Sequence, residues 1–134
     1  MYSHIMLGAR DLTLLTSFYD ALLACLGLVR QTFDMDGGPE GEGWVPTGQA
    51  WPVFIVQYPF NGLPATWGNG VQVSFAAPTR EAVNAAWRTA IERGGSSEGE
   101  PGLRPHYGED YYGAYCRDPE GNKLCFVHAS GMSS

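Results

Sequence analysis

The side chains able to do chemistry in this chain fall in three places. His4 stands near the start, Gln72 in the middle, and Arg104, His106, Tyr107, Tyr112 and Cys125 in the last third. A histidine titrates near neutrality, so it can act as a base or grip a ligand. An amide such as Gln72 offers both an acceptor and donors, which suits hydrogen bonding to a small molecule. Cys125, within "NKLCFVH", has three readings: metal ligand, reactive thiol, or small apolar filler. The stretch "RPHYGEDYYGAY" places Arg104 ahead of His106, Tyr107, Glu109, Tyr111 and Tyr112. As a rim it would close aromatic and polar groups on an organic ligand, with Arg104 available for an anionic one. As plain structure it is a surface loop entering a strand, where aromatic residues are favoured. Both readings stand at this point.

Composition narrows what these groups can serve. A length of 134 residues fits one compact domain, or two small modules sharing a core. Hydrophobic residues make up 44% and charged residues 16%, enough to bury a core and too apolar for a disordered chain. The apolar runs are too short to cross a bilayer. The opening "MYSHIMLGARD" lacks the basic start and cleavage site of a secretory signal, so a cytoplasmic location is expected. The formal net charge is −6 and the eight basic residues are scattered, which disfavours nucleic acid and anionic membranes as partners. Cysteines 25, 116 and 125 are odd in number and show no CxxC spacing, against a disulfide framework or structural zinc. A small organic molecule is the expected partner.

The elements that must position these residues occur twice. A short strand at 4–8 precedes Asp11, a good helix N-cap, and Leu12, Leu15, Phe18, Tyr19, Leu22 and Leu26 recur at helical spacing up to Gly27. A second strand at 71–76 precedes the cap Thr79, with Val83, Ala86, Trp87, Ala90 and Ile91 on one face and Gly94 and Gly95 as the stop. The two segments superpose at an offset of about 68 residues, the scale at which internal repeats are sought. His4 precedes its cap by seven residues, and Gln72 precedes its own by the same seven. Strands are expected at 28–33, 43–45 and 51–58, and again at 97–100, 111–117 and 123–128. Each half therefore reads β-α-β-β-β: a first module over 1–60, a Pro- and Gly-rich linker over 61–70, and a second module over 71–129, together one domain. The stretch "GEPGLRPHYGED", residues 99–110, is long enough for a lid or binding loop. "DPEGN" is a hairpin turn, which would bring Cys116 opposite Cys125 and make a cross-strand disulfide geometrically open, though at odds with a reducing cytoplasm. Trp44, Trp51 and Trp67 are expected to pack in the core.

The tandem repeat, with "SHIMLGARDL" opening one unit, "GNGVQVSFAAPTREAV" the other and "DPEGNKL" leading into the last strand, resembles the vicinal oxygen chelate superfamily. This group includes glyoxalase I, bleomycin-resistance proteins and extradiol dioxygenases, and the resemblance covers nearly the whole chain. It implies an α+β fold in which two modules curve into a cup-shaped mixed sheet, and a homodimer. It also implies a divalent metal (Zn, Ni, Fe or Mn) held by residues of the first and last strand of each unit. By position these are His4, Ile55, Gln72 and Cys125. Only His4 is the usual residue; Gln72 and Cys125 stand where a facial triad would place His and Glu, and Ile55 donates nothing. The first reading is a protein that holds a small organic ligand in the cup over a degenerate metal site, with polar contacts from His4, Gln72, Arg104, His106, Tyr107, Tyr112 and Cys125. The second is a metal-dependent lyase or dioxygenase using His4, Gln72 and Cys125, an ion set that favours Zn²⁺ once a thiolate is included. The third is a metal-free enzyme with His4 or His106 as base.

Overall fold

Each half of the chain closes around one helix whose start is fixed by a side-chain cap. The computed structural model describes residues 1–32 and 36–132. The first module runs β1 (His4–Gly8), α1 (Leu12–Ala24), β2 (Leu28–Gln31), β3 (Gly41–Pro46) and β4 (Val53–Gln57). The second runs β5 (Gln72–Ala76), α2 (Arg80–Glu92), β6 (Ser96–Leu103), β7 (Tyr112–Arg117) and β8 (Lys123–His128). Asp11 accepts the backbone N–H of Leu14 at 3.0 Å and Thr79 that of Ala82 at 3.0 Å, satisfying donors that a helix start leaves open.

The strands form two four-stranded mixed sheets, ordered β1-β4-β3-β2 and β5-β8-β7-β6. In both, the first strand pairs parallel with the last: His4 lies beside Val53, and Gln72 beside Lys123. The remaining pairings are antiparallel. The fold is thus α+β as expected, with the repeat realised as two sheets in one chain, and β1 and β5 each form an outer edge.

Strand alternation gives each sheet a helix side and an open side. On the helix side, Leu7, Trp44, Phe54 and Val56 meet Leu15, Phe18, Tyr19, Leu22 and Leu23 of α1. Val73, Phe75, Ala114, Cys116, Leu124 and Phe126 meet Val83, Ala86 and Ala90 of α2. These residues form one buried cluster through both modules, joined where Phe54 and Phe75 meet edge to face at 5.1 Å.

Polar contacts lock the modules at the turn between β7 and β8. Tyr19, fully buried on α1, donates its hydroxyl to Asp118 at 2.6 Å. Asp118, itself buried, also accepts from the Asn122 amide at 2.8 Å and the backbone N–H groups of Glu120 and Asn122. The next carboxylate, Glu120, accepts the N–H groups of Arg10 and Asp11 at 2.7 and 2.8 Å, across the chain at the mouth of α1. Gly121 takes φ +94°, and a Cβ there would meet the Trp67 ring at 2.8 Å, so glycine is required on both counts.

Several expectations are corrected. β3 begins two residues earlier than periodicity suggested and β6 runs through Leu103, because its glycines support register shifts at Ser97, Gly99 and Gly102. β4 begins at Val53 rather than at 51, and β7 at Tyr112 rather than at 111. Phe33, expected in the second strand, lies outside the described residues. Only Trp44 is a core residue; Trp51 and Trp67 are 60% and 45% exposed, and Trp67 packs beneath the Arg117 guanidinium instead. Cys116 pairs with Leu124, and Cys125 with Tyr115, so the two thiols lie on opposite faces and both are free.

Two predictions follow from this packing. Tyr19→Phe should lower unfolding free energy by about 1.5–3 kcal/mol, the range for a hydrogen bond to a charged group, and Asp118→Ala should cost more because several buried donors lose their acceptor. Urea denaturation with an unchanged slope checks both. Burial, the Asp118 carboxylate and Cys125 push the Cys116 thiol up to about 12. An unfolded thiol ionises near pH 8.5, so above that the unfolded state alone loses the proton and stability falls, by about 1.4 kcal/mol per pH unit. Denaturation at pH 7.5 and pH 10 should differ by about 2 kcal/mol from this group, and Cys116→Ala should remove most of that slope.

Candidate functional site

The open side of the second sheet carries the densest polar chemistry. Outward from β8, alternation sets Lys123, Cys125 and Val127 on this side, beside Gln72, Ser74 and Ala76 of β5 and Arg117, Tyr115 and Gly113 of β7. Over them lies the loop after β6. Arg104 N–H donates to the Tyr111 carbonyl at 2.8 Å, while the Tyr107 and Tyr111 N–H groups close inner turns onto Arg104 and Gly108. Ser130 N–H holds the Asp110 carboxylate at 2.8 Å, which with the Ser130 hydroxyl draws that carboxyl below its ordinary range. The loop is pinned at both ends and forms a fixed wall.

Together these parts form an open cavity of about 520 Å³, lined by Gln72, Glu98, Arg104, His106, Tyr107, Tyr111, Tyr115 and Lys123. The aromatic rings form a ladder: His106 against Tyr107 at 4.1 Å, and Tyr107 against Tyr111 at 5.3 Å. The Tyr111 hydroxyl meets the Tyr115 hydroxyl at 3.2 Å and the Cys125 sulfur at 3.6 Å. Burial, then the contacts with Tyr115 and Cys125, raise the Tyr111 phenol well above its ordinary range; burial and Cys125 raise that of Tyr115. Both phenols therefore stay protonated donors at neutral pH. Glu98, the cavity's carboxylate, is held in an ion pair by Arg117.

The structure brings together Gln72, Arg104, His106 and Tyr107, with Cys125 fully buried beneath Tyr111. Tyr112 stands apart: it faces α2, donating to the Asn84 side-chain oxygen at 2.7 Å under the Arg80 guanidinium. His4 also stands apart, its ring bonded to the Ser3 hydroxyl at 2.8 Å. It borders a separate apolar groove of about 320 Å³ between the modules, with Ile5, Phe54, Val73 and Phe75. Of the two histidines expected to act as bases, then, His106 reaches the cavity and His4 does not line it. Sequence reading gives no role to Tyr115 or Lys123, although alternation sets Lys123 on the Cys125 face and the hairpin register adds Tyr115 to it. Another hollow, of about 570 Å³, lies along α1, where Arg30 bridges Asp20 and Glu42 and where none of the site residues expected from the sequence lies.

A metal of the kind the resemblance implies has poor support from these donors within one chain. Gln72 gives its amide N–H to Ser74 at 2.9 Å, Cys125 is sealed under a tyrosine, and His4 lines a different cavity. Among the described residues no three His, Cys, Asp or Glu side chains gather as a metal-binding group.

Two β-α-β-β-β modules with parallel first and last strands define the class of this protein. The family model described as the Glyoxalase/Bleomycin resistance protein/Dioxygenase superfamily matches residues 2–126, and the chain belongs to that superfamily. It is 37% identical to a glyoxalase/bleomycin resistance protein from Albidiferax ferrireducens T118, over 96% of this chain and 98% of that one, with a TM-score of 0.82. A glyoxalase-related enzyme from Fulvimarina pelagi shares the fold at 18% identity and a TM-score of 0.71, covering 100% and 95% of the two chains. So does a family domain from Frankia sp. EAN1pec, at 13% identity and 0.73 over 96% and 97%. A search of functionally curated proteins found no match.

The cover over Cys125 is directly testable. In the native protein, iodoacetamide should leave Cys116 and Cys125 unmodified, since both are fully buried. Tyr111→Ala should expose Cys125 alone, read as one added label at Cys125 by peptide mass spectrometry.

Proposed function

We propose that this chain is a ligand-binding member of its superfamily, holding a small organic molecule on the open face of the second sheet over a metal site that has lost its carboxylate. The observation that carries this reading is the composition of the cavity. Gln72 from β5 converges there with Arg104, His106 and Tyr107 from the loop after β6, while Cys125 occupies the glutamate position and is sealed beneath Tyr111. Protein ligand sites combine apolar or aromatic walls with a few fixed polar groups, and the tyrosine ladder beside Gln72 and Arg104 has that character. An octahedral ion with open positions for an oxygen substrate needs several hard donors; a thiol, an amide and one distant histidine do not supply them.

The working form is a homodimer in a reducing compartment. Ile5 and Met6 on β1 are 41% and 52% exposed, beside an apolar groove with an unpaired strand edge, features that a second copy would cover. Three free cysteines suit the cytoplasm.

Elemental analysis of untagged protein purified without chelator tests the metal-free reading. Less than about one ion per ten chains is expected, and no uptake after incubation with Zn²⁺, Ni²⁺, Fe²⁺ and Mn²⁺. A stoichiometric divalent ion, lost in His4→Ala, would overturn it in favour of a metal-dependent lyase or dioxygenase. Light scattering should give a mass twice the 14.6 kDa of the chain, falling to that of one chain in Met6→Glu.

A further inference from the structure

We propose that the cavity selects organic anions, seating a ligand carboxylate or phosphate between Arg104 and Lys123 over the ring of Tyr115. The inference rests on that cavity being the ligand site and specifies the chemistry it takes. Arg104 and Lys123 come from different elements, the loop after β6 and the start of β8. Both approach one ring: the guanidinium carbon is 5.7 Å and the ammonium nitrogen 5.8 Å from the centre of Tyr115.

Two cations approaching one ring raise the positive potential around it, which a ligand anion would offset. Among the described residues, neither forms an ion pair, and the cavity's carboxylate, Glu98, is already held by Arg117. In a chain of formal net charge −6, a cavity with a local excess of positive charge is a selective feature rather than a general one. Arg104 is also held in place. Its guanidinium donates to the Glu100 carbonyl at 2.7 Å and to the Leu103 carbonyl at 3.4 Å, leaving the remaining donors of its fork for a ligand. β6 makes room for this: a Cβ on Gly99 or Gly102 would come within 3.2 and 3.1 Å of the guanidinium nitrogens. The hydrogen-bonded phenols of Tyr111 and Tyr115 add polar oxygens to the wall, and the Tyr107 face can take a planar body.

NMR titration of the full chain with benzoate, phenyl phosphate and benzamide tests this. Benzoate or phenyl phosphate should bind at least tenfold tighter than benzamide, more weakly as salt rises, and whichever is tighter identifies the preferred anion. Arg104→Met and Lys123→Met, on separate elements and with unchanged melting, should each remove most of that preference, weakening benzoate and phenyl phosphate far more than benzamide. Gly102→Val should do likewise by displacing Arg104 with both cations still present. Benzamide binding as tightly as benzoate would overturn the anion inference and leave the cavity as a ligand site. An anion preference that survives all three variants would also overturn it. Failure of every probe to bind would overturn both this inference and the reading on which it rests.

Discussion

The Asp118 carboxylate, buried and hydrogen-bonded from three directions, ties the last hairpin to the first helix. Removing two groups from water to form such a contact is costly unless each lone pair finds a donor. Here Tyr19, Asn122 and two backbone N–H groups all supply donors. Burial and the Asp118 charge hold the Tyr19 phenol in its protonated, donating form. Because Glu120, two residues on, receives the N–H groups ahead of α1, the same turn fixes both the middle and the mouth of that helix. The position of β8 relative to α1 is thereby set, and with it the strand that carries Lys123 and Cys125.

From this lock the open faces follow. Both helices pack on one side of their sheets and share one apolar cluster, so the other side of each sheet has no helix to cover it. On the second sheet a loop fills part of that role. It covers Cys125 with Tyr111, leaves a hollow beside Tyr115, and brings Arg104 back over bulged, glycine-rich β6. Larger residues at 99 and 102 would crowd that guanidinium and shift it from its place. Local irregularity of the backbone and the charge of the cavity are therefore one feature.

Much of this was legible in the residues. Capped helices with apolar faces at regular spacing, repeated at a fixed offset, led to the two modules, because periodicity and capping are local properties. The parallel placement of His4 and Gln72 in their modules was legible for the same reason. What failed depended on parity or distance. Of the adjacent tyrosines, 111 faces the cavity and 112 faces α2, and only the strand's actual start and register decide which. The sequence marks "DPEGN" as a turn, yet Tyr19, the partner of its aspartate, lies 99 residues away. Trp51 and Trp67 read as core by composition, whereas their surroundings leave them at the surface.

The proposed function puts the ligand on the open face of the second sheet and not in the groove beside His4. The tyrosines divide between the two faces of the structure, which makes them reporters: Tyr107, Tyr111 and Tyr115 line the cavity, whereas Tyr2 borders the groove and Tyr19 is buried in the core. The most direct measurement is an NMR titration of protein carrying ring-labelled tyrosine with benzoate. Saturable shifts are expected at Tyr107, Tyr111 and Tyr115 with Tyr2 and Tyr19 unmoved; shifts centred on Tyr2 with the cavity tyrosines silent would contradict the proposed site.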